Sequence, residues 1–114
     1  MIYHITPLAD WQRAQQTGQY TAASLDSEGF IHASNREQVE GTAKLFYHGQ
    51  TGLVLLAIDP DRLRSELRYE PGTAAHGVKQ LFPHVYGPIN LDAVVEVLPF
   101  EPLADGSFRF PAAG

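Results

Sequence analysis

The amino-acid sequence predicts a single α+β domain, with two early helices followed by a split, mainly antiparallel β-sheet. Two segments in the first 50 residues space their apolar side chains with helical periodicity. The later part contains short runs rich in β-branched and aromatic residues, separated by turns with Gly, Pro or Asp. The chain of 114 residues shows no linker, repeat or low-complexity tract, so we expect one domain spanning residues 1–114.

The chain begins with a predicted strand, residues 2–6, that leads into the first helix. The Thr6-Pro7 pair is typical of a helix cap followed by proline at the first helical position. Gly18 is a natural end for this helix. One stripe of the helix is predicted to pack against the sheet, and it consists of Leu8, Trp11 and Ala14. Trp11 is expected to lie in the core.

The second helix is predicted to begin after Ser34 and to run to about Tyr47. Ser34 and Glu37 match the capping box, in which each side chain bonds the other residue's backbone. Three inward positions follow from helical spacing: Val39, Ala43, and Phe46 or Tyr47. The preceding residues 19–33 are expected to be irregular to extended, with a turn at 26–29.

Residues 53–59 form the strongest strand prediction, because a nearly unbroken apolar run is typical of a central strand buried on both faces. A short helical turn is expected from Asp59-Pro60 to Leu63. A weaker strand is predicted for residues 67–70, and a loop for residues 72–77.

An extended stretch, residues 78–89, contains Pro83 and Pro88, which should confine it to a sheet edge or a loop crossing. Residues 93–100 form the last predicted strand. Asp105-Gly106 is then expected to turn the chain back into residues 107–110 as a hairpin.

Composition excludes several classes of function. A formal net charge of -5 argues against bulk binding to nucleic acid or anionic membranes, although a local pocket could still hold a small anionic ligand. The absence of cysteine excludes disulfides and thiolate metal sites. The N-terminus lacks a signal-peptide pattern and no segment approaches a membrane span, so we expect a cytoplasmic protein.

The five histidines lack the HxH, HxxxH or HExxH spacing that favours a metal site, and none is predicted. His48 and His76 lie in glycine-flanked polar segments and should be solvated. His4, His32 and His84 instead lie among apolar or turn residues, where an unsatisfied ring nitrogen would be costly. They are either core histidines bonded to the backbone or members of one pocket, and we expect all three to line one cleft.

His84 and Tyr86 share one face of a strand, between prolines and Gly87 that restrict the backbone. A stiff segment of this kind suits ligand contact through ring stacking and hydrogen bonding, so Tyr86 and Gly87 are candidate ligand-binding residues. The alternative is an edge strand with prolines placed against aggregation.

No known catalytic template is present. Ser24 and Ser34 lack a nucleophile elbow, and they are instead candidates for ligand binding. The sequence has no glycine-rich phosphate loop. Three glutamates could serve as acid-base groups or as ordinary surface residues: Glu28, Glu70 and Glu96.

Five segments in this order resemble a known family: YHIT, SLDSEGFIHAS, LVLLAID, FPHVYGPI and DGSF. The chain is similar over about residues 2–111 to the small bacterial proteins called domain of unknown function 952. The resemblance implies an ADP-ribosyltransferase-like fold, near the RNA 2′-phosphotransferases. Such a fold has a split β-sheet whose cleft holds NAD or an ADP-ribose-bearing intermediate.

The resemblance also implies roles for residues. His4 would match the first basic signature position and His32 the second, while His84 and Tyr86 would line the cleft. A third position, often a glutamate, is matched in order only by Glu96. His4, His32 and His84 are therefore the catalytic candidates, and NAD is the cofactor that the resemblance suggests.

Two functions are expected from these observations. The first is binding of a nucleotide of the NAD or ADP-ribose type, with ADP-ribosyl or phosphoryl transfer as the reaction. The second is a non-catalytic small-ligand binding or interaction module on the same fold. His32 and Ser34 precede the second helix, whose N-terminus should hold the ligand's anionic group, more tightly as pH falls from about 8 to about 6.

Overall fold

A computed structural model describes residues 1–73 and 79–111. Its elements in chain order are β1 (Ile2–Pro7), α1 (Leu8–Thr17), β2 (Gln19–Tyr20), α2 (Ala23–Glu28), β3 (Ile31–His32), α3 (Val39–Phe46), β4 (Leu53–Ile58), β5 (Glu66–Thr73), β6 (Lys79–Tyr86), β7 (Ile89–Asn90) and β8 (Val94–Phe100). Short 3-10 turns occupy Arg36–Gln38, Pro60–Arg62 and Leu91–Ala93. The described chain forms one α+β domain, as predicted.

Three small antiparallel sheets organise the strands, with the orders β1-β4-β8, β2-β7 and β3-β6-β5. β4 is the middle strand of the first sheet and all six of its residues are buried, which confirms the prediction for this segment. The two faces of β4 contribute to two separate core clusters. Val54, Leu56 and Ile58 enter the first, and Leu53 and Leu55 enter the second.

Helix α1 begins one residue later than predicted. β1 extends through Pro7, which takes the N-cap position, and no side chain caps the helix. Thr6 is not a cap, because its hydroxyl lies 2.8 Å from the Tyr20 hydroxyl. Gly18 ends the helix as predicted, with a φ of 94° that favours glycine. Of the predicted inward stripe, Ala14 is buried, Trp11 is partly buried against the first core cluster, and Leu8 is exposed.

Residues 19–33 are more regular than predicted, because they include helix α2. This helix has six residues and buries none of them, so it lacks the apolar stripe that sequence patterns detect. Gly29 ends it with a φ of 87°, and its N–H bonds the carbonyls of Ser24 and Leu25. The predicted turn at 26–29 is therefore the end of a helix.

The capping box before α3 uses Asn35 and Gln38, not Ser34 and Glu37. The Asn35 side chain accepts from the Gln38 N–H at 3.1 Å, and the Gln38 side chain accepts from the Asn35 N–H at 3.0 Å. Ser34 cannot act as the cap, because its backbone is paired with Tyr3 in an isolated β-bridge. The end of α3 near Tyr47 agrees with the prediction.

β6 is the middle strand of its sheet, so the predicted edge position is wrong. Pro83 is tolerated there because the pairing of β3 with β6 covers only two residues. The Pro83 carbonyl accepts from the Ala33 N–H at 3.0 Å. Since N and O of one strand residue point to the same side, the missing Pro83 N–H faces β3, where little pairing is lost.

The predicted loop at residues 72–77 and the predicted hairpin at residues 105–110 both differ in part from the structure. Gly72 and Thr73 belong to β5 and not to a loop, while the prediction for His76 lies outside the described residues. The turn at Asp105-Gly106 is present, but residues 107–110 form no strand. They instead pack inward through Phe108, which stacks on Phe100 with ring centroids 4.7 Å apart. Among the described residues, no helix has the length and apolar character needed to cross a membrane.

Candidate functional site

A cleft of about 830 Å³ is lined by residues from both three-stranded sheets and from the helices α1, α2 and α3. β1 contributes His4 and Thr6, while β3 and β6 contribute His32 and His84. The structure therefore brings the three sequence-predicted histidines to one cleft. Their roles in binding or catalysis stay predictions.

His4 is buried and both of its ring nitrogens have partners. Nδ1 donates to the His32 carbonyl oxygen at 2.5 Å, because a carbonyl can only accept. The other nitrogen, Nε2, lies 2.8 Å from the Tyr20 hydroxyl, which in turn contacts Thr6. Burial lowers the pKa of His4 to about 4 and raises that of Tyr20 to about 12. His4 is thus a neutral, fully bonded ring.

His32 is half exposed and pairs with a carboxylate at the cleft. Its Nε2 lies 2.9 Å from Glu28 Oε2, four residues earlier. Glu28 comes from the last turn of α2, so the helix missed in the sequence positions this carboxylate. The His32 ring also contacts the His84 ring edge-on, with centroids 5.4 Å apart.

His84 is buried and bonded to a second carboxylate, on the neighbouring strand. Its Nδ1 lies 2.8 Å from Glu70 Oε1, and the Tyr86 hydroxyl donates to the same oxygen at 2.5 Å. Hydrogen bonds from Tyr86 and His84 lower the pKa of Glu70, and the same carboxylate raises the pKa of Tyr86. Glu70 therefore stays ionised, with two donors on one oxygen.

Phe30 lies at the centre of the aromatic groups in the cleft. Its ring is stacked on His84 with centroids 4.1 Å apart and planes at 17°. The rings of His32 and Tyr86 lie 4.8 and 5.3 Å from it. Phe30 also lines the cleft, and it offers a flat apolar surface beside two imidazoles.

The charged groups of the lining are acidic. Asp10 and Glu28 line the cleft, and the described lining contains no Lys or Arg. Within residues 1–73 and 79–111, no three His, Asp or Glu side chains are arranged to hold a metal ion. The arrangement suits aromatic stacking and hydrogen bonding to a ligand more than the capture of a bare anion.

Protein-family models identify the chain. Residues 5–97 match the family described as a protein of unknown function (DUF952). This chain belongs to that family. The family match runs from within β1 to within β8, and so includes His32 and His84, while His4 lies one residue before it.

Solved structures are similar to this chain over almost its whole length. The chain is similar to the crystal structure of protein CC0527 from Caulobacter crescentus, with 34% identity and a TM-score of 0.82 over 95% of this chain and 92% of that chain. The solution NMR structure of CC0527 gives 33% identity and a TM-score of 0.70 over 93% and 89%. None of the curated proteins matches.

The remaining candidates from the sequence have different positions. Ser24 and Ser34 line the cleft, and Ser34 Oγ lies 3.2 Å from Thr42 Oγ1. Tyr86 and Gly87 lie outside this lining, and their contact with a ligand stays a prediction. Tyr86 acts behind the cleft through its bond to the carboxylate of Glu70, and a Cβ on Gly87 would overlap the Ser65 hydroxyl.

The expected anion site at the start of the second helix also changes. The Gln38 N–H already donates to the Asn35 side chain, and the Asn35 N–H donates to the Gln38 side chain. His32 lies four residues before this turn and faces Glu28. Two N–H groups at the start of this helix are therefore already bonded, and the binding of an anion there stays a prediction.

Sequence reasoning missed the site roles of Phe30 and Tyr20, and it left Glu70 as one of three equivalent glutamates. Phe30 stands two residues before His32, and this spacing could have signalled a shared face. No comparable signal marks Glu70, because its contact with His84 depends on how β5 pairs with β6. Glu96 lies exposed on β8 and outside the cleft lining.

Proposed function

We propose that this protein binds a nucleotide of the NAD or ADP-ribose type in the cleft. The observation that carries the proposal is the single cleft, lined from both three-stranded sheets, that contains three histidines and Phe30. A volume of about 830 Å³ lies within the range of small-molecule sites. The ADP-ribosyltransferase-like architecture is part of the same proposal, since two sheets flank one cleft.

The parts of such a ligand have separate places to bind. An aromatic ring would stack near Phe30 and the half-exposed His32. Sugar hydroxyls would meet His84 and the hydroxyl of Ser24 or Ser34, which also line the cleft. Because the described lining lacks Lys and Arg, the phosphates would lie toward solvent, with His32 as the nearest imidazole.

Transfer of an ADP-ribosyl or phosphoryl group is the reaction proposed for this site. The protein would act mainly by orienting the ligand and stabilising developing charge. His84 is the best-placed proton acceptor, because a carboxylate holds its ring. The acidic group would be Glu28 and not Glu96, since Glu28 lines the cleft and bonds His32.

A non-catalytic binding module is the second candidate function. It is favoured by His4, whose two ring nitrogens are both occupied and whose lowered pKa keeps the ring neutral. A residue bonded in this way stabilises the wall of a cleft without taking part in proton transfer. In this case the ligand would be held and released unchanged.

Calorimetry with NAD, ADP-ribose and adenosine tests the binding proposal. We expect saturable binding of at least one nucleotide, weakened roughly tenfold or more by His84→Ala, the loss of about one strong hydrogen bond and a stacking partner. His48→Ala is the matched control, because His48 is exposed and outside the lining. Equal effects of the two substitutions, or no heat with any ligand, would contradict the proposal.

Chromatography separates the two candidate functions. If the cleft catalyses ADP-ribosyl transfer, wild-type protein incubated with NAD should break the bond between ribose and nicotinamide and release nicotinamide, with water as the acceptor of the ADP-ribosyl group. His84→Ala should abolish the release. Tight binding of NAD without any nicotinamide would instead favour the non-catalytic module.

A further inference from the structure

The sheet face that lines the cleft carries an ordered pair of side chains, Glu70 and His84. β5 and β6 pair so that Glu70 lies opposite Phe82, and Arg68 lies opposite His84. All four project from one face, because positions two apart in a strand share a face. The Glu70 carboxylate reaches diagonally to His84, which lies beside its direct partner.

The chemistry of Glu70, His84 and Tyr86 determines which of their atoms carry hydrogen. Glu70 is an ionised carboxylate that can only accept, so both His84 Nδ1 and the Tyr86 hydroxyl donate to Oε1. A neutral imidazole with hydrogen on Nδ1 has a lone pair on Nε2. No described residue bonds this His84 Nε2, and His84 lines the cleft.

We propose that Glu70 is a positioning residue that holds His84 with Nε2 as a hydrogen-bond acceptor for a hydroxyl group of the ligand. This inference rests on the proposed function, and it names the part of the nucleotide that His84 recognises: a sugar hydroxyl and not a phosphate oxygen. Phe30 supports the arrangement, because its stacked ring restricts rotation of the imidazole.

The charges around the cleft support the choice of hydroxyl over anion. A lone pair on Nε2 repels a phosphate oxygen but accepts a hydrogen bond from a sugar hydroxyl. Asp10 and Glu28 add negative charge to the lining, and the described lining has no Lys or Arg. Arg68, opposite His84 on the same sheet face, is paired with the Glu66 carboxylate at 2.8 Å. A neutral donor is therefore the ligand group that fits beside His84.

The tautomer of His84 can be measured without any ligand. Protein labelled with ¹⁵N-histidine shows in a two-bond proton–nitrogen correlation which ring nitrogen carries hydrogen, at the alkaline end of a pH titration. The His84 signals are assigned by their loss in His84→Ala. Wild type should show the Nδ1–H form, and Glu70→Ala should shift the population toward Nε2–H.

Two further variants make this result specific. Glu96→Ala removes an exposed glutamate on β8, away from the cleft lining, and should leave the His84 tautomer unchanged. Tyr86→Phe removes the second donor to Glu70 but keeps the carboxylate, and should also keep the Nδ1–H form. An Nε2–H form in wild type, or an unchanged tautomer in Glu70→Ala, would overturn the positioning role.

Calorimetry with ADP and its 2′,3′-dideoxy analogue tests the ligand group. Wild type should bind ADP roughly tenfold more tightly, since one hydrogen bond to an oriented imidazole is lost in the analogue. The ratio of the dissociation constants of the analogue and of ADP should approach one in Glu70→Ala. In Glu96→Ala this ratio should equal that of wild type. Equal binding of the two ligands by wild type would overturn the hydroxyl assignment.

These experiments distinguish failure of the nucleotide-binding proposal from failure of the positioning role of Glu70. If neither ADP nor ADP-ribose binds, the nucleotide proposal fails and the sugar assignment fails with it. The nitrogen correlation still decides the role of Glu70, because it needs no ligand.

Discussion

His4 is buried in the wall of the cleft, and its environment predicts how stability depends on pH. Burial lowers its pKa to about 4, whereas an unfolded chain titrates near 6.5. Between these values only the unfolded state binds the proton, so stability is fully present above about 6.5 and is lost as pH falls toward 4. His4 alone should remove about 2 kcal/mol of unfolding free energy between pH ~7.5 and ~5.

Urea denaturation at the two pH values measures this contribution. His4→Gln keeps a neutral donor and acceptor but cannot titrate, so it should lose about 2 kcal/mol less than wild type on acidification. His48→Gln is the control, and it should follow wild type because His48 is exposed. An equal loss in wild type and His4→Gln would show that His4 is not held neutral by the fold.

The junction between α3 and β6 depends on the Gln38 side chain. Its amide nitrogen donates to the Leu81 carbonyl at 2.8 Å and to Gln80 Oε1 at 3.1 Å. Its amide oxygen completes the cap with Asn35. One side chain therefore joins the helix start to the middle strand that carries His84.

Gln38→Ala should lower the free energy of unfolding by about 2 kcal/mol, because buried polar groups lose their partners. Gln50→Ala is the matched control, since Gln50 is exposed, and it should change stability by less than about 0.5 kcal/mol. Chemical denaturation of both variants checks the difference. Similar stabilities would mean that the junction adds no net stability.

At the scale of the whole molecule, the C-terminal segment, residues 101–110, covers one side of the core. Phe108 is 5% exposed and belongs to the second core cluster, with Val39 from α3 and Leu55 from β4. Residues 101–110 have no strand pairing, yet they cover the side of the first sheet that faces α3. Apolar burial of Phe108 holds the segment in place. Two hydrogen bonds add to it, because the Gly106 carbonyl accepts from the Gly49 N–H at 2.9 Å and the Phe110 N–H donates to Glu40 Oε2 at 2.8 Å.

Phe108→Ala should cost roughly 3–5 kcal/mol of stability, as deletion of a buried aromatic ring does. Leu103→Ala lies in the same segment but removes an exposed side chain, so it should change stability by less than about 0.5 kcal/mol. Thermal unfolding of the two variants tests the comparison. A small effect of Phe108→Ala would show that the segment is dispensable for the fold.

Elements with local sequence signals could be predicted without the structure. β4 follows from a run of six apolar residues, because a strand buried on both faces needs no alternation. Gly18 ends α1 because a left-handed residue there favours glycine. The segments around His4, His32 and His84 were likewise found from sequence, since histidine among apolar residues requires partners.

The tertiary structure alone decided which partners those histidines have. Glu70 meets His84 only because β5 and β6 pair in one register, and a shift by one residue would turn the carboxylate to the opposite face. Tyr20 meets His4 across 16 positions of sequence. The cap moved from Ser34 to Asn35 because Ser34 pairs with β1. Such contacts depend on distant strands, and local sequence patterns carry no information about that pairing.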